Sequence, residues 1–374
     1  MASLFHPLCG SNPETLLKLL INNGVRSINC WPQVLIALAV SLARWPFSTI
    51  ERVAFGLSQA RAEPMPDPVF IVGYWRSGTT HLHNLLAQSP SFGYITPLAT
   101  GLPWDVLGIV RVFEPLLQQA LPSDRFVDNV AVTPTSPQED SIPLATMGAA
   151  SYYHGLYFPQ QFEAHFRRDV FQDGGDFASD RVNDFDRWQR LHRHFLRSVS
   201  IQQNHKPLLI KNPVYTGYIR HLRHLWPKAK FIHIYRNPYR VFPSTRHYFT
   251  RLLPELALQS YDAKAIASRL DPLIFESYLH LMQGLKRDTA DLPPEQWIER
   301  RFEDLQTNPL GELETLFTQL NLPDFAAARP HLEGYLADLG DYRQNQYMID
   351  PAMIATIEQY WLPYIQQWGY RPNV

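Results

Sequence analysis

The sequence predicts an α/β protein: a central parallel sheet of the P-loop-like kind, flanked by helices, with a helical N-terminal segment. Three observations carry this expectation. Short, mainly apolar runs, PVFIV at 68–72, PLLIK at 207–211 and KFIHIYR at 230–236, alternate with segments of helical periodicity. Such runs suit strands buried on both faces, as in a parallel sheet covered by crossover helices. The first run leads directly into GYWRSGTTHLH, residues 73–83, a glycine loop that opens a helix. Finally, 374 residues that are 45% apolar and 18% charged can build a sizeable core and are not wholesale disordered.

Residues 1–65 read as the helical N-terminal segment, closed by the linker EPMPDP, whose prolines at 64, 66 and 68 disfavour helix. Within it, WPQVLIALAVSLARWPF (31–47) is the most hydrophobic stretch. Its uncharged core, Val34 to Ala43, is about half the ~20 residues a membrane-spanning helix needs. We expect a helix buried against the main domain and no transmembrane anchor. Trp31 and Trp45 also suit a peripheral membrane contact through residues 31–47.

Residues 66–374 form the α/β domain. TTHLHNLLAQS is a helix stopped by Pro90, and residues 90–160 read as a lid or substrate region, proline-rich and irregular as far as 145. The aromatic run AASYYHGLYFP is either an acceptor wall or core. RWQRLHRHFLRSVSIQQ, TGYIRHLRHLWP and YRVFPSTRHYF read as helices, the last opening after Asn237-Pro238. QWIERRF is a further strand, followed by a helix from about Pro309 to Leu320.

A formal net charge of -1 argues against a generic nucleic-acid binder, and we expect none as partner. Charge is unevenly spread, however. From Arg187 to Pro254 there is no Asp or Glu, yet 14 of the chain's 34 Lys and Arg fall there, as expected of a site for a compact polyanion. The two cysteines, Cys9 and Cys30, give neither a disulfide framework nor metal-ligand spacing. The opening MASLFHPLCGS lacks a basic region followed by an apolar one, so the expected location is cytoplasmic, peripheral to a membrane if residues 31–47 touch one.

The loop supplies the chemistry. Backbone N–H groups of residues 76–80 and the start of the following helix would face an anion. In a nucleotide triphosphatase a lysine would stand where Thr79 is, and the neighbouring strand would end in a Mg²⁺-binding aspartate. Here that strand, FIHIYRNP, ends in Arg236. Without the lysine and the carboxylate, metal-assisted cleavage of a triphosphate lacks its equipment. A sulfuryl group joined to phosphate carries a single negative charge, which Arg and Lys neutralise unaided, so no metal is expected.

At this point the residues resemble the sulfotransferases that use 3′-phosphoadenosine 5′-phosphosulfate (PAPS). YWRSGTT is similar to the P-R-S-G-T-T loop of the protein-tyrosine enzymes and to the broad bacterial branch, with Arg76 where cytosolic small-molecule enzymes carry a lysine. The resemblance implies that Arg76, Ser77, Gly78, Thr79 and Thr80 bind the 5′-phosphosulfate. It implies that Arg236 and Ser244, eight residues apart, bind the 3′-phosphate. RFEDL (301–305) resembles R-Y-E-D-L, with Phe302 in place of the tyrosine that meets adenine, able to stack but not to hydrogen bond. Arg343 in LGDYRQNQY is implied as a further phosphate contact, and Lys211, ending PLLIK, as a contact to the transferring group.

The general base departs from the pattern. The cytosolic K-T-H-L-P is here K-N-P-V-Y, and the tyrosine enzymes' glutamate falls on Thr96-Pro97. Glu139 or Asp140 in SPQED resembles the bacterial P-Q-E-D-E-F, with Ser141 replacing the second glutamate. A desolvated carboxylate can act as a base, though Asp140 could equally cap a helix or pair with a cation. His81, His83 and His154 are further candidates. Expected catalytic residues are therefore Arg76, Lys211, Glu139 and Asp140. The expected reaction moves sulfuryl from PAPS to a hydroxyl of a hydrophobic small-molecule or lipid acceptor, leaving 3′,5′-bisphosphoadenosine (PAP). The alternatives are a catalytically silent PAP-binding protein and a P-loop nucleotide kinase.

Overall fold

A computed structural model describes residues 6–25, 28–58, 64–118, 133–171, 178–339 and 349–372. Its elements, in chain order, are α1 (Pro13–Asn23), α2 (Trp31–Ser58), β1 (Val69–Val72), α3 (Thr79–Leu86), β2 (Gly93–Tyr94), α4 (Pro97–Gly101), α5 (Ile109–Gln118), α6 (Ser141–Met147), α7 (Tyr153–Tyr157) and α8 (Phe162–Val170). Then follow α9 (Ala178–Gln202), β3 (Leu208–Lys211), α10 (Ile219–Leu225), β4 (Lys230–Tyr235), α11 (Pro238–Leu256), α12 (Ala263–Thr289), β5 (Trp297–Arg301), α13 (Phe302–Thr307), α14 (Pro309–Gln319), α15 (Phe325–Leu339) and α16 (Pro351–Gln367). The chain divides into two compact units. One comprises Met1–Pro66, Tyr94–Lys206 and Thr250–Ala267; the other comprises Asp67–Gly93, Pro207–Phe249 and Ser268–Val374.

The second unit holds the sheet, in the order β2-β3-β1-β4-β5. β1 runs parallel to both β3 and β4, and β4 runs parallel to β5. All four residues of β1 are buried, and their alternation serves two faces. Val69 and Ile71 join Leu82, Leu85 and Leu86 of α3 and Leu313, Leu316 and Phe317 of α14 in one apolar layer. Phe70 points the other way, edge-on to Tyr215 and stacked on Phe231. Each such side chain stabilises the fold by roughly 1.5–3 kcal/mol through burial. After β1 the chain builds β2 and β3 on one side and then crosses to β4 and β5 on the other. The carboxyl ends of β1, β3 and β4 thus meet at the place where open α/β sheets hold ligands.

Three helices carry the unit beyond what the sequence suggested: α12, α15 and α16. Trp361 of α16 is fully buried, stacked on Tyr278 at 4.1 Å and edge-on to Phe242 and Phe275.

The first unit is helical where the sequence suggested irregular chain. α4 starts at Pro97 behind Thr96, whose hydroxyl accepts from Ala99 N–H, a proline-led start that pattern reading took for loop. α5 and α6 lie in the same stretch. The aromatic run resolves as core, with Tyr152, Leu156, Tyr157 and Phe158 wholly buried. α2 is 28 residues long and is not the buried helix expected: Trp31, Leu35, Leu42, Trp45, Phe47, Ile50, Val53 and Leu57 are exposed. Its apolar residues surround the axis, so pattern alone could not choose the inward face.

Buried histidines, His6 and His154 among them, give this unit a pH dependence. His6 Nε2 lies 3.0 Å from Leu256 O, and His154 Nε2 lies 2.9 Å from Ala145 O. Burial pulls each imidazole down to about 4. Such a base is neutral when folded but protonates in the unfolded chain below 6.5. Stability is therefore complete above that value and is lost as pH falls toward about 4, by at most roughly 3 kcal/mol per histidine. Asp169, pushed up to about 7 by burial, acts in the opposite sense, gaining stability as it protonates. Glu51, also pushed up to about 7 by burial, and Asp105, raised by burial, act with Asp169. His165 and His194, pulled down by burial to about 3 and about 4, act with His6 and His154, and the four histidines outweigh the three carboxylates. The denaturation midpoint should drop between about pH 7 and pH 5, and His6→Gln should remove part of that drop. A flat wild-type profile over this range would contradict the assignment.

Candidate active site

The turn after β1 is shaped by three backbone facts. Gly73 packs so closely on β4 that a Cβ would lie 2.4 Å from Ile234 O, and its N–H donates to Thr216 Oγ1 at 2.9 Å. Arg76 has φ 68°, in the left-handed region. The other described non-glycine residues with positive φ are Asn, Asp or His, which tolerate it; an arginine there is held by its surroundings. Gly78, φ 97°, caps α3 with no side-chain hydrogen bond, and a Cβ would lie 2.1 Å from the Phe302 ring. The loop therefore ends in a helix start whose first N–H groups are left to an anion.

Motifs far apart in sequence meet on this loop. Arg76 Nε donates to Ser244 Oγ at 3.0 Å, joining the loop to the middle of α11. Arg236, just past the end of β4, donates from Nη1 to Arg76 O at 3.3 Å. Its guanidinium also sits 4.6 Å from the Phe302 ring centroid, a cation–π contact. Phe302, the first residue of α13 just past β5, thus supports both Gly78 and Arg236. Ser77 and Thr79 are buried, Thr80 is half-buried, and Lys211 is buried on β3 in register with Ile71. Arg343 lies outside the described residues.

Some supports escaped the sequence reading. Thr216 takes the first loop N–H, and Thr245 Oγ1 donates to Trp75 O at 3.2 Å. Glu303 of RFEDL accepts from Asn237 N–H at 3.1 Å and from the Tyr370 hydroxyl at 2.7 Å, locking the turn that aims Arg236. Proximity to the recognised motifs was the available signal: Thr216 lies five residues after Lys211, and Thr245 follows Ser244. The acid-free segment does not become a uniformly basic face. Arg223 pairs with Asp291 at 2.7 Å and Arg246 with Asp271 at 3.0 Å, while Lys230 donates to Asn321 O at 2.8 Å.

Glu139 and Asp140 belong to the other unit, and their environments differ. Glu139 is half-buried and accepts from the hydroxyls of Tyr152 and Tyr153, each at 3.1 Å. Asp140 is fully buried at the start of α6, 3.5 Å from His192 Nε2. Asp169 accepts from Tyr152 N–H at 2.7 Å behind the same tyrosines. Of the histidine candidates, His154 is bonded to main chain in the core, His83 is fully buried, and His81 lies edge-on to Phe302, its pKa lowered by burial. Among the described residues no group of three or more His, Cys, Asp or Glu is arranged to hold a metal ion.

Known proteins share the sequence pattern and the fold. The sequence pattern of the sulfotransferase family matches residues 68–326. The chain is 30% identical over 362 residues to the omega-hydroxy-beta-dihydromenaquinone-9 sulfotransferase Stf3 of Mycobacterium bovis, covering 92% of this chain and 90% of that protein. The Mycobacterium tuberculosis protein of the same name matches equally. Two crystal structures share the fold: sulfotransferase STF1 of Mycobacterium tuberculosis, with TM-score 0.63, 16% identity and coverage of 93% and 90% of the two chains, and STF9 of Mycobacterium avium, with TM-score 0.61, 15% identity and 97% of each. A glycine loop seating an arginine on a parallel sheet, found in a chain that carries this family's sequence pattern over most of its length, has one reading: the chain belongs to the sulfotransferase family.

Proposed function

We propose that this sulfotransferase takes its sulfuryl group from PAPS and delivers it to a hydroxyl of a hydrophobic, lipid-like small molecule. One observation carries the donor reading: Arg76, Gly78, Arg236, Ser244 and Phe302, spread over more than half the chain, converge on one turn. The fit is chemical as well as spatial. Guanidinium forks, a serine hydroxyl and bare helix N–H groups suit phosphate and sulfate oxygens, and the tight Gly78–Phe302 contact keeps side chains out of the cradle. Bound there, PAPS would supply an activated sulfuryl group whose leaving group is its 5′-phosphate.

The chain's own residues then have separate tasks. The N–H groups of 76–80 and the start of α3 hold the 5′ end, and Arg236 with Ser244 holds the 3′-phosphate. Phe302 fixes the plane of Arg236 by stacking. Arg76 meets the charge that develops on the leaving oxygen, and Lys211, placed by β3, steadies the transferring group. For the acceptor, the name of Stf3 describes a hydroxylated dihydromenaquinone, and 30% identity over nearly the whole chain supports the same acceptor class here.

Binding tests the donor reading. Calorimetric titration should give tighter binding of PAP than of ATP with Mg²⁺. Arg236→Ala should weaken PAP by roughly ten- to a hundredfold, as for loss of charge-assisted hydrogen bonds. Preference for ATP, or indifference to Arg236, would overturn the assignment of this cradle to PAPS.

As base we assign Glu139, which is partly open and held by two tyrosine hydroxyls, over the interior Asp140. Glu139→Gln should cost on the order of a hundredfold in kcat, with PAP affinity unchanged. Full activity in that variant would end the assignment.

A further inference from the structure

α2 is amphipathic the wrong way round for a helix on the surface of a soluble unit. Two of its three charged groups, Arg44 and Glu51, turn inward. Arg44 is buried, ion-paired to Asp105, and donates to Gly10 O at 3.2 Å. Glu51 accepts from the N–H groups of Leu107 and Gly108 at 2.8 and 2.7 Å. Arg52, the third, is exposed at the edge of the helix's outer face, with its guanidinium over the Trp104 ring at 4.8 Å. The outward face is apolar. Among its exposed residues only Thr49 and Arg52 carry polar side chains, while Ile50 is 67% exposed, Val53 58% and Leu57 77%. Trp31 and Trp45 stand on this face, and α5, whose start is tied to α2 through Glu51, also exposes Val112 and Phe113.

We propose that this face rests on a lipid bilayer, with α2 lying in the plane of the membrane surface. The helix is long and apolar enough to cross a membrane by composition alone. Crossing is excluded by its inner face, because Arg44 and Asp105 would be carried into hydrocarbon together with the main chain they bind. An in-plane helix needs only its outer half in lipid, sunk by about 5–10 Å with tryptophans at the headgroup level. A protein partner would meet a polar rim of hydrogen-bonding groups, and this strip offers almost none. The exposed cations Arg52 of α2 and Arg111 of α5 complement anionic headgroups. This inference is independent of the donor assignment, and its test does not use the nucleotide.

Flotation of the full-length protein with vesicles decides it. One set contains phosphatidylcholine alone, the other phosphatidylcholine mixed with phosphatidylglycerol. The wild type should float with both and more fully with the anionic set, and its tryptophan emission should shift to the blue. Leu42→Glu with Val53→Glu changes residues that are 55% and 58% exposed, so folding should be spared, as circular dichroism can verify. That variant should lose ~tenfold or more of its vesicle binding. Failure of the wild type to float, or equal flotation of the double variant, would overturn the proposal. So would a lipid-free dimer that the same substitutions dissociate, which would assign the face to a second copy.

Discussion

Arg76→Ala is expected to lower kcat by about a hundred- to a thousandfold, the cost of removing one preorganised donor from developing charge. Its side chain is held by Ser244 Oγ at 3.0 Å and its backbone by Arg236, so the guanidinium is fixed before any ligand arrives. Its left-handed backbone indicates that the fold tolerates local strain to keep it there. Arg76→Lys should recover part of the loss, because charge returns without the planar fork. The discriminating readout is kcat against donor affinity. Glycine loop and helix start remain in the variant, so PAP binding should weaken far less than turnover. A variant within a few-fold of wild type in kcat would remove Arg76 from the chemistry, leaving it a structural tie between loop and α11.

Asp105→Ala is expected to destabilise the first unit by about 3–5 kcal/mol, the usual cost of orphaning one half of a buried ion pair. Asp105 is fully buried, and Arg44 reaches it from α2 while also donating to the main chain at Cys9 and Gly10. Without the carboxylate the guanidinium stays interior with carbonyl oxygens as its remaining described partners. Replacing both residues with apolar ones of similar volume should cost much less, since both desolvation penalties vanish together. Denaturant midpoints for the single and double variants test this. A single variant as stable as the wild type would mean that the pair does not hold α2 to the unit. The in-plane orientation proposed for that helix would then lose its main physical support.

How much was legible depends on the range of the interactions involved. β1, β3 and β4 were readable because a strand buried on both faces is written as a local apolar run, and the loop was readable because Gly73 and Gly78 take positive φ, a local backbone requirement. The proline-led α4 was missed, since its start residues are also turn residues. Glu139 and Asp140 are neighbours with the same chemistry, and no local pattern separates the half-open carboxylate from the buried one. Thr216 and Glu303 matter only because strands distant in sequence place them against the loop and its flanking turn.

By itself the sequence determined the α/β class, the loop with Thr79 in place of a triphosphatase's lysine and with Arg76 within it, and the family to which the chain belongs. These are properties of short segments, set by backbone sterics, periodicity and the charge of a few side chains. Tertiary structure decided what depends on partners far along the chain. It set Ser244 against Arg76 across 168 residues, turned Arg44 of α2 inward to Asp105, and left the apolar side of that helix facing out. Burial and pairing are properties of the packed chain, and an apolar residue is written the same way whether it faces core or lipid.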